Sequence, residues 1–188
     1  MEVRPATAAD HIHAEAISVE IASSAAKRGT GIARRSPEYL QEKMSAGHSI
    51  VALAEGRRIA GFCYIESWED KRYVVNSGLI VFPEFRGQGL AFRIKQAALR
   101  LSTRLYPGAR FFGLTTSRQV MRINSDLGYR PVTFAELTAD PEFWAGCSSC
   151  VNYSLLRSKN FANCLCTGML LDPGQDWGKR ALDEVDRK

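Results

Sequence analysis

The most specific chemical spacing in this chain lies in Arg86-Gly87-Gln88-Gly89-Leu90-Ala91. These residues follow the apolar run Leu79-Ile80-Val81 and Pro83, and they open an amphipathic stretch. A helix that begins here leaves its first amides without intrahelical carbonyls. It also places them at the positive end of the helix dipole. Gly87 and Gly89 let the backbone approach a ligand closely, and Ala91 is too small to block it. The combination makes an anion site suited to a pyrophosphate group. The competing reading is an ordinary glycine turn ahead of a surface helix. The segment has neither the Gly-Lys-Ser/Thr ending of a triphosphate loop nor the G-x-G-x-x-G spacing of a dinucleotide turn.

A second group is Cys147-Ser148-Ser149-Cys150 with Cys164-Leu165-Cys166. A C-x-x-C and a C-x-C pair can close a tetrahedral four-thiolate zinc site. Cys147, Cys150, Cys164 and Cys166 would then staple the tail to the domain. If residues 164–166 are a strand, both thiols of the second pair share a side. The alternative is four reduced thiols packed as small apolar groups. A redox role is disfavoured, because no β-α-β pattern surrounds the C-x-x-C. The N-terminal residues lack the apolar core of a signal peptide, so disulfides are not expected. Cys63 reads as a core residue.

The elements that must position these groups follow from periodicity. Strands are expected at 2–6, 50–53, 59–65, 73–81, 111–115 and 130–134. One helix follows the first strand, with Thr7 or Asp10 as cap and Ala14, Ile17, Ile21 and Ala25 on its buried face. A second opens at Ser36-Pro37 and ends before Gly47. A long helix from 89 to 105 carries the stripe Leu90, Ile94, Ala97, Leu101 and Leu105. A short helix precedes Gly128. The order β-α-α-β-β-β-α-β-α-β predicts an α+β fold, a mixed twisted central sheet flanked by helices. A catalytic domain is expected over 1–138, a cysteine-bearing C-terminal appendage over 139–173 and a polar tail over 174–188.

Composition sets limits. The chain has 188 residues, 45% hydrophobic and 24% charged, with a formal net charge of +5, which is globular and mildly basic. The basic residues are dispersed, with no aromatic platform between them, which argues against nucleic-acid binding. No apolar run reaches the ~18 residues of a membrane span. A cytoplasmic protein is expected.

With these residues in hand, the sequence resembles the GNAT acetyltransferase superfamily. Its signature, Arg/Gln-x-x-Gly-x-Gly/Ala after a strand ending apolar-x-apolar-x-Pro, is matched by Arg86 to Ala91 behind Leu79-x-Val81-x-Pro83. The resemblance spans about residues 2–135 and includes the element order. It implies an acyl-CoA-dependent N-acyltransferase whose co-substrate is acetyl-CoA or another acyl-CoA. The amides of Arg86, Gly87, Gln88, Gly89, Leu90 and Ala91 would hold the pyrophosphate. Backbone groups of Leu79, Ile80 and Val81 would pair with pantetheine and stabilise the oxyanion. The acceptor would be a small-molecule primary amine. Many members carry a tyrosine acid four residues before a Gly-aromatic pair. Here that pair is Gly128-Tyr129 and the position is Asn124, which cannot serve as the acid but can hydrogen-bond the thiolate or pantetheine. No base is obvious; Glu66 and a water chain through Asn76 are the candidates.

Phe112-Gly113-Leu114-Thr115-Thr116 and Leu127-Gly128-Tyr129 further resemble the GNAT domain of N-acetylglutamate synthases. In this fold the loop between the first helices covers the acceptor. Here it contains Arg34 and Arg35, which can clamp a carboxylate. Glutamate or a related amino acid is therefore the expected acceptor, with a role in amino-acid metabolism. A protein or polyamine acetyltransferase and a non-catalytic acyl-CoA-binding regulator are the alternatives. Both monomer and homodimer remain open.

Overall fold

The computed structural model describes residues 1–27 and 35–172. Among the described residues the expected ten elements occur in the expected order. They are β1 (Glu2–Pro5), α1 (Ala14–Lys27), α2 (Pro37–Ser45), β2 (Ser49–Leu53), β3 (Ile59–Trp68), β4 (Tyr73–Val81), α3 (Leu90–Leu105), β5 (Arg110–Thr115), α4 (Arg118–Asp126) and β6 (Arg130–Val132). Three more follow: α5 (Pro141–Ala145), α6 (Tyr153–Ser158) and β7 (Thr167–Leu171). The mixed sheet has the hydrogen-bonded order β1-β2-β3-β4-β5-β7-β6. The cysteine-bearing appendage thus supplies a strand, β7, seated between β5 and β6. That strand begins at Thr167, so Cys164 and Cys166 precede it and are not part of it. The polar tail from residue 174 lies outside the described residues.

The chain divides into two compact units. One unit comprises Met1–Glu66 and Asn76–Ser102; the other comprises Ser67–Val75 and the chain from Thr103 onward. Strands β3 and β4 contribute to both.

In the first unit, β1 pairs antiparallel with β2 from Glu2↔Leu53 to Pro5↔Ile50. Strand β2 pairs antiparallel with β3 from Ser49↔Tyr64, with a register shift between Ala52 and Leu53. All five residues of β2 are buried, as expected of an apolar run covered on both faces. Phe62, Tyr64, Val51 and Leu53 pack against Ile17, Ile21, Leu40 and Met44. Ala14, Ile17, Ile21 and Ala25 are the buried apolar positions of α1, as the 3.6-residue period requires. Helix α2 starts with Pro37 behind Ser36, whose hydroxyl accepts from the Tyr39 amide at 3.2 Å. Helix α3 departs from the expected stripe. It buries Lys95, Ala98 and Ser102 along with Leu90, Ile94 and Leu101, while Leu105 is exposed. The physical reason is polar: Lys95 and Ser102 are turned inward by hydrogen bonds to Asn76 on β4.

In the second unit, the start of β4 runs parallel to β5 through Tyr73↔Arg110, Val74↔Phe111 and Val75↔Phe112. A parallel pair needs a long crossover, and α3 lies within it. Strand β5 pairs antiparallel with β7 from Phe111↔Leu171 to Thr115↔Thr167, and β7 pairs antiparallel with β6. The core is aromatic. Phe143 stacks edge-on against Phe112 at 4.9 Å, Trp144 at 5.0 Å and Trp68 at 5.6 Å, a geometry favoured by ring quadrupoles.

The β1–α1 junction is held by charge. Asp10 is fully buried and takes two bonds of 2.8 Å from the Arg4 guanidinium and one of 2.9 Å from the Thr7 amide. The bonds from Arg4 hold the Asp10 carboxyl down from 3.8 to about 2, against the opposing effect of burial. A lowered folded-state pKa stabilises above the unfolded value and loses that contribution as pH falls through the folded one. We expect stability to be flat above pH ~5 and to drop from about pH 4 to 2, by roughly 2 kcal/mol from this group. Urea midpoints against pH test this: Asp10→Asn should be less stable at neutral pH and should flatten the acid limb.

Candidate active site

Strand β4 ends at Val81. Phe82 follows, its amide bonded to the Ala60 carbonyl at 2.9 Å, and Pro83–Phe85 form a single 3-10 turn. The chain then passes through Gly87 (φ 76°) and Gly89 (φ 72°) into α3. Both glycines are in the left-handed region, which other residues avoid, with open space where a side chain would be. Residues 86–89 are exposed and Leu90 is buried beneath them. The Arg86 amide donates to the Pro83 carbonyl at 3.3 Å, so the loop's available amides begin at Gly87. The Arg86 side chain is a strap. It donates to the Val81 carbonyl at 2.9 Å, to Glu20 at 2.8 Å and to Ser24 at 3.1 Å.

Upstream of the loop, the pairs registered between β4 and β5 stop at Val75, whereas β4 continues to Val81. Leu79, Ile80 and Val81 lie on this continuation. Asn76 stands at its start and is turned beneath α3. Its Nδ2 donates to Ser102 Oγ at 2.8 Å and its carbonyl accepts from Lys95 Nζ at 3.3 Å. Asn76 is buried at 7% exposure, and its Oδ1 has no hydrogen-bond partner among the described residues. Burial strips the Lys95 ammonium of water and lowers its pKa to about 8. Burial likewise raises the nearby Cys63 thiol to about 11. Cys63 is wholly buried, as its mid-strand position suggested.

The opposite face of β3 carries a different cluster. Tyr64 and Glu66 alternate along that strand, and the Tyr39 hydroxyl of α2 donates to Glu66 Oε1. Arg35 Nε donates to the Tyr64 hydroxyl at 2.7 Å, and its guanidinium lies 3.8 Å from Glu66 Oε2. The same guanidinium stands 5.1 Å from the Tyr39 ring centroid and 5.8 Å from that of Tyr64. The Arg35 carbonyl accepts from Ser18 at 2.6 Å, which anchors the residue to α1. Burial pushes the Tyr39 phenol far above its usual value, and its bond to Glu66 adds to this. Burial raises Tyr64 in the same way. For Arg35, burial works downward but is outweighed by Tyr64, Glu66 and Tyr39, so it stays charged.

The sequence candidates therefore separate. Glu66 and Arg35 meet; Asn76 points to α3; Arg34 lies outside the described residues. Asn124 belongs to the second unit, where it is 1% exposed and donates to Met169 Sδ at 3.7 Å. Its carbonyl accepts from the Tyr129 and Leu127 amides at 2.9 and 3.1 Å, capping the end of α4. Tyr129 is buried. Cys147, Cys150, Cys164 and Cys166 all line one cavity in the second unit, and none is in a disulfide. Burial pushes the Cys166 thiol up to about 12, with Cys164, Cys150 and Cys147 acting in the same direction. Tyr39 and Tyr64 escaped the sequence reading. The available signal was Tyr64 two residues before Glu66 on one face of a strand; Tyr39 had none.

The profile of the acetyltransferase (GNAT) family matches residues 18–121. The chain belongs to this family. It is a GNAT-type N-acyltransferase, and the residues singled out on α1, β3, β4 and the Arg86–Ala91 loop fall within the matched span. Among curated proteins none matches the sequence. Among solved structures, Rv2747 from Mycobacterium tuberculosis, in complex with CoA and a second ligand, is 19% identical with a TM-score of 0.65, over 92% of this chain and 99% of that one. N-acetylglutamate synthase from Neisseria gonorrhoeae, complexed with coenzyme A and N-acetyl-glutamate, is 19% identical with a TM-score of 0.63, over 91% of this chain and 34% of that one. Phosphinothricin acetyltransferase from Sinorhizobium meliloti, in complex with acetyl-CoA, is 16% identical with a TM-score of 0.60, over 91% and 87% of the two chains. These likenesses show the fold. Among the described residues no helix is long and apolar enough to cross a membrane.

One residue of this GNAT chain couples strand to site. Gly78 of β4 has φ 64°, and a Cβ there would lie 2.5 Å from Tyr64 Cε1. Gly78→Ala should destabilise by about 1–3 kcal/mol through overpacking and backbone strain. It should also displace Tyr64 from Arg35. Urea titration measures the first effect and tyrosine fluorescence the second.

Proposed function

We propose that this acyltransferase moves an acetyl or other short acyl group from acyl-CoA to the α-amine of a small zwitterionic acceptor, glutamate or a close relative. The observation that carries the acceptor class is the Arg35–Glu66 pair, whose nearest charged atoms are 3.8 Å apart. That separation is long for an ion pair, and both groups are largely screened from water, at 20% and 10% side-chain exposure. A zwitterion presents the complementary pair of charges. Its carboxylate suits the forked guanidinium of Arg35, and its ammonium suits Glu66. Tyr39 and Tyr64 hold the two charges apart and oriented.

The amides from Gly87 to Ala91 would receive the CoA pyrophosphate at the start of α3. The backbone of Leu79 to Val81 would pair with the pantetheine arm and direct an amide at the thioester carbonyl. The ammonium first gives one proton to Glu66, the free amine attacks the carbonyl carbon, the C–S bond breaks, and the departing CoA thiolate takes the second proton from nitrogen. Glu66, the acidic group of the cluster, thus serves as the base that frees the amine. Positioning of the two substrates supplies much of the remaining rate.

Free-thiol release from acetyl-CoA and from succinyl-CoA, against amino acids, polyamines and a lysine peptide, tests the reading. Release with glutamate or a close relative is expected. Glu66→Gln should lower kcat by about 10²-fold or more. Arg35→Ala should raise the acceptor KM by roughly 10–100-fold. Neither change should alter CoA affinity measured by calorimetry. Release only with the peptide or polyamines would overturn the acceptor assignment. Absence of CoA binding would overturn the pyrophosphate loop.

A further inference from the structure

We infer that Cys147, Cys150, Cys164 and Cys166 form a four-thiolate site for one zinc ion, which ties the α5–α6 segment to the lead-in of β7. All four cysteines line a single cavity of ≈ 20 Å³, walled by Leu114, Phe134, Trp144, Tyr153 and Leu156 together with Asn152. That is room for about one water-sized sphere. An apolar wall is usual around structural metal sites, because it excludes water and competing ligands.

The local backbone prepares both pairs. Cys147 and Cys150 flank a 3-10 turn closed by the Cys150 amide on the Cys147 carbonyl at 2.9 Å. The Asn152 amide donates to Cys150 Sγ at 3.4 Å. That bond fixes where the Cys150 sulfur sits at the end of the turn. In the second pair Leu165 is 65% exposed, whereas Cys164, Cys166 and Cys147 pack against the aromatic core of this unit. Cys164 and Cys166 thus face inward while the residue between them faces out. The two pairs are separated by the whole of α6 and still reach one cavity, which ordinary thiol packing does not require.

Among the described residues no three histidine, cysteine or acidic side chains already stand in ligand positions. Binding balances as one Zn2+ and four thiols giving a zinc tetrathiolate of net charge −2 and four protons released to solvent. Four sulfur donors and no open position match a structural ion rather than a catalytic one. The position explains what the ion would do. Thr167 is the residue after Cys166 and opposes Thr115, the last residue of β5. A metal at the lead-in therefore fixes the end of β7 that must stay inserted between β5 and β6.

The test uses the full chain purified without affinity metal and under reducing conditions. Metal analysis should find about one zinc per chain, and the paired variant Cys147→Ser/Cys164→Ser should lose it, while Cys63→Ser should retain it. Should the paired variant fail to fold, a second measurement stands alone. Co2+ added to the wild-type apoprotein should give thiolate-to-cobalt charge-transfer absorption that Zn2+ abolishes. Removal of zinc by a strong chelator should lower Tm, and added Zn2+ should restore it. Any of three results overturns the inference: no zinc and no cobalt spectrum in protein with four titratable thiols; iron instead of zinc; or a mass two protons lighter, marking a disulfide.

Discussion

Backbone polar groups in a folded chain must find partners, and β4 is where this requirement shapes the molecule. The strand begins inside a parallel ladder with β5 and continues to Val81 after the registered pairs have stopped at Val75. Helix α3 takes up the first freed group, with Lys95 on the Asn76 carbonyl and Ser102 on the Asn76 side chain. Ser102 in turn donates to the Ala98 carbonyl at 2.7 Å, so the chain of bonds closes within the helix. The cost is a lysine held in the core with its proton less firmly bound than usual. Beyond Asn76 the strand runs on through Leu79 to Val81, whose carbonyl accepts from Arg86 Nε at 2.9 Å, and the glycine loop follows directly. In the proposed reaction acyl-CoA would be the ligand here, an extended molecule with an anionic end placed where a strand runs into a helix N-terminus.

The same strand sets the other face. Gly78 has no side chain, so the Tyr64 ring lies against the β4 backbone. Tyr64 then holds Arg35, Arg35 approaches Glu66, and Glu66 holds Tyr39. Each charge in this cluster is buried with a partner of opposite sign or with a phenol, the condition under which buried charge is tolerated. Because the partners come from α2, β3 and the segment just before α2, the cluster also locks those elements together. Its net charge is close to zero, which distinguishes it from the purely basic acceptor loop that the sequence around Arg34 and Arg35 suggested.

The second unit solves a different problem. Its sheet needs a strand between β5 and β6, and the chain supplies it last, from beyond the cysteines. The edge-on packing of Trp68, Phe112, Phe143 and Trp144 fills the space beside that sheet. Glu69 fastens the α5 approach, accepting from Thr138 Oγ1 and the Ala139 amide at 2.6 Å each. A strand added from a distant segment carries a large closure entropy, and a cross-link beside it is one way to offset that cost.

The features readable from sequence are those encoded by neighbours. The Arg86–Ala91 loop, the cap at Ser36 and the apolar period of α1 each depend on residues within a few positions of one another, so element order and the glycine turn that opens α3 were legible. The apolar period of α3 misled, because Lys95 and Ser102 are drawn inward by a strand neither adjoins in sequence. Asn76 and Glu66 lay equally near the expected site in sequence. In the fold they part: Asn76 bonds to Ser102 and Lys95 of α3, whereas Glu66 meets Tyr39 and Arg35. Tyr39 joins Glu66 across 27 positions, and β7 joins β5 across a longer span still. Local propensity and periodicity determined which segments are helix or strand and where the glycine loop meets α3. Tertiary structure alone decided which side chains share a site, because that depends on register and packing between segments whose sequences carry no record of each other.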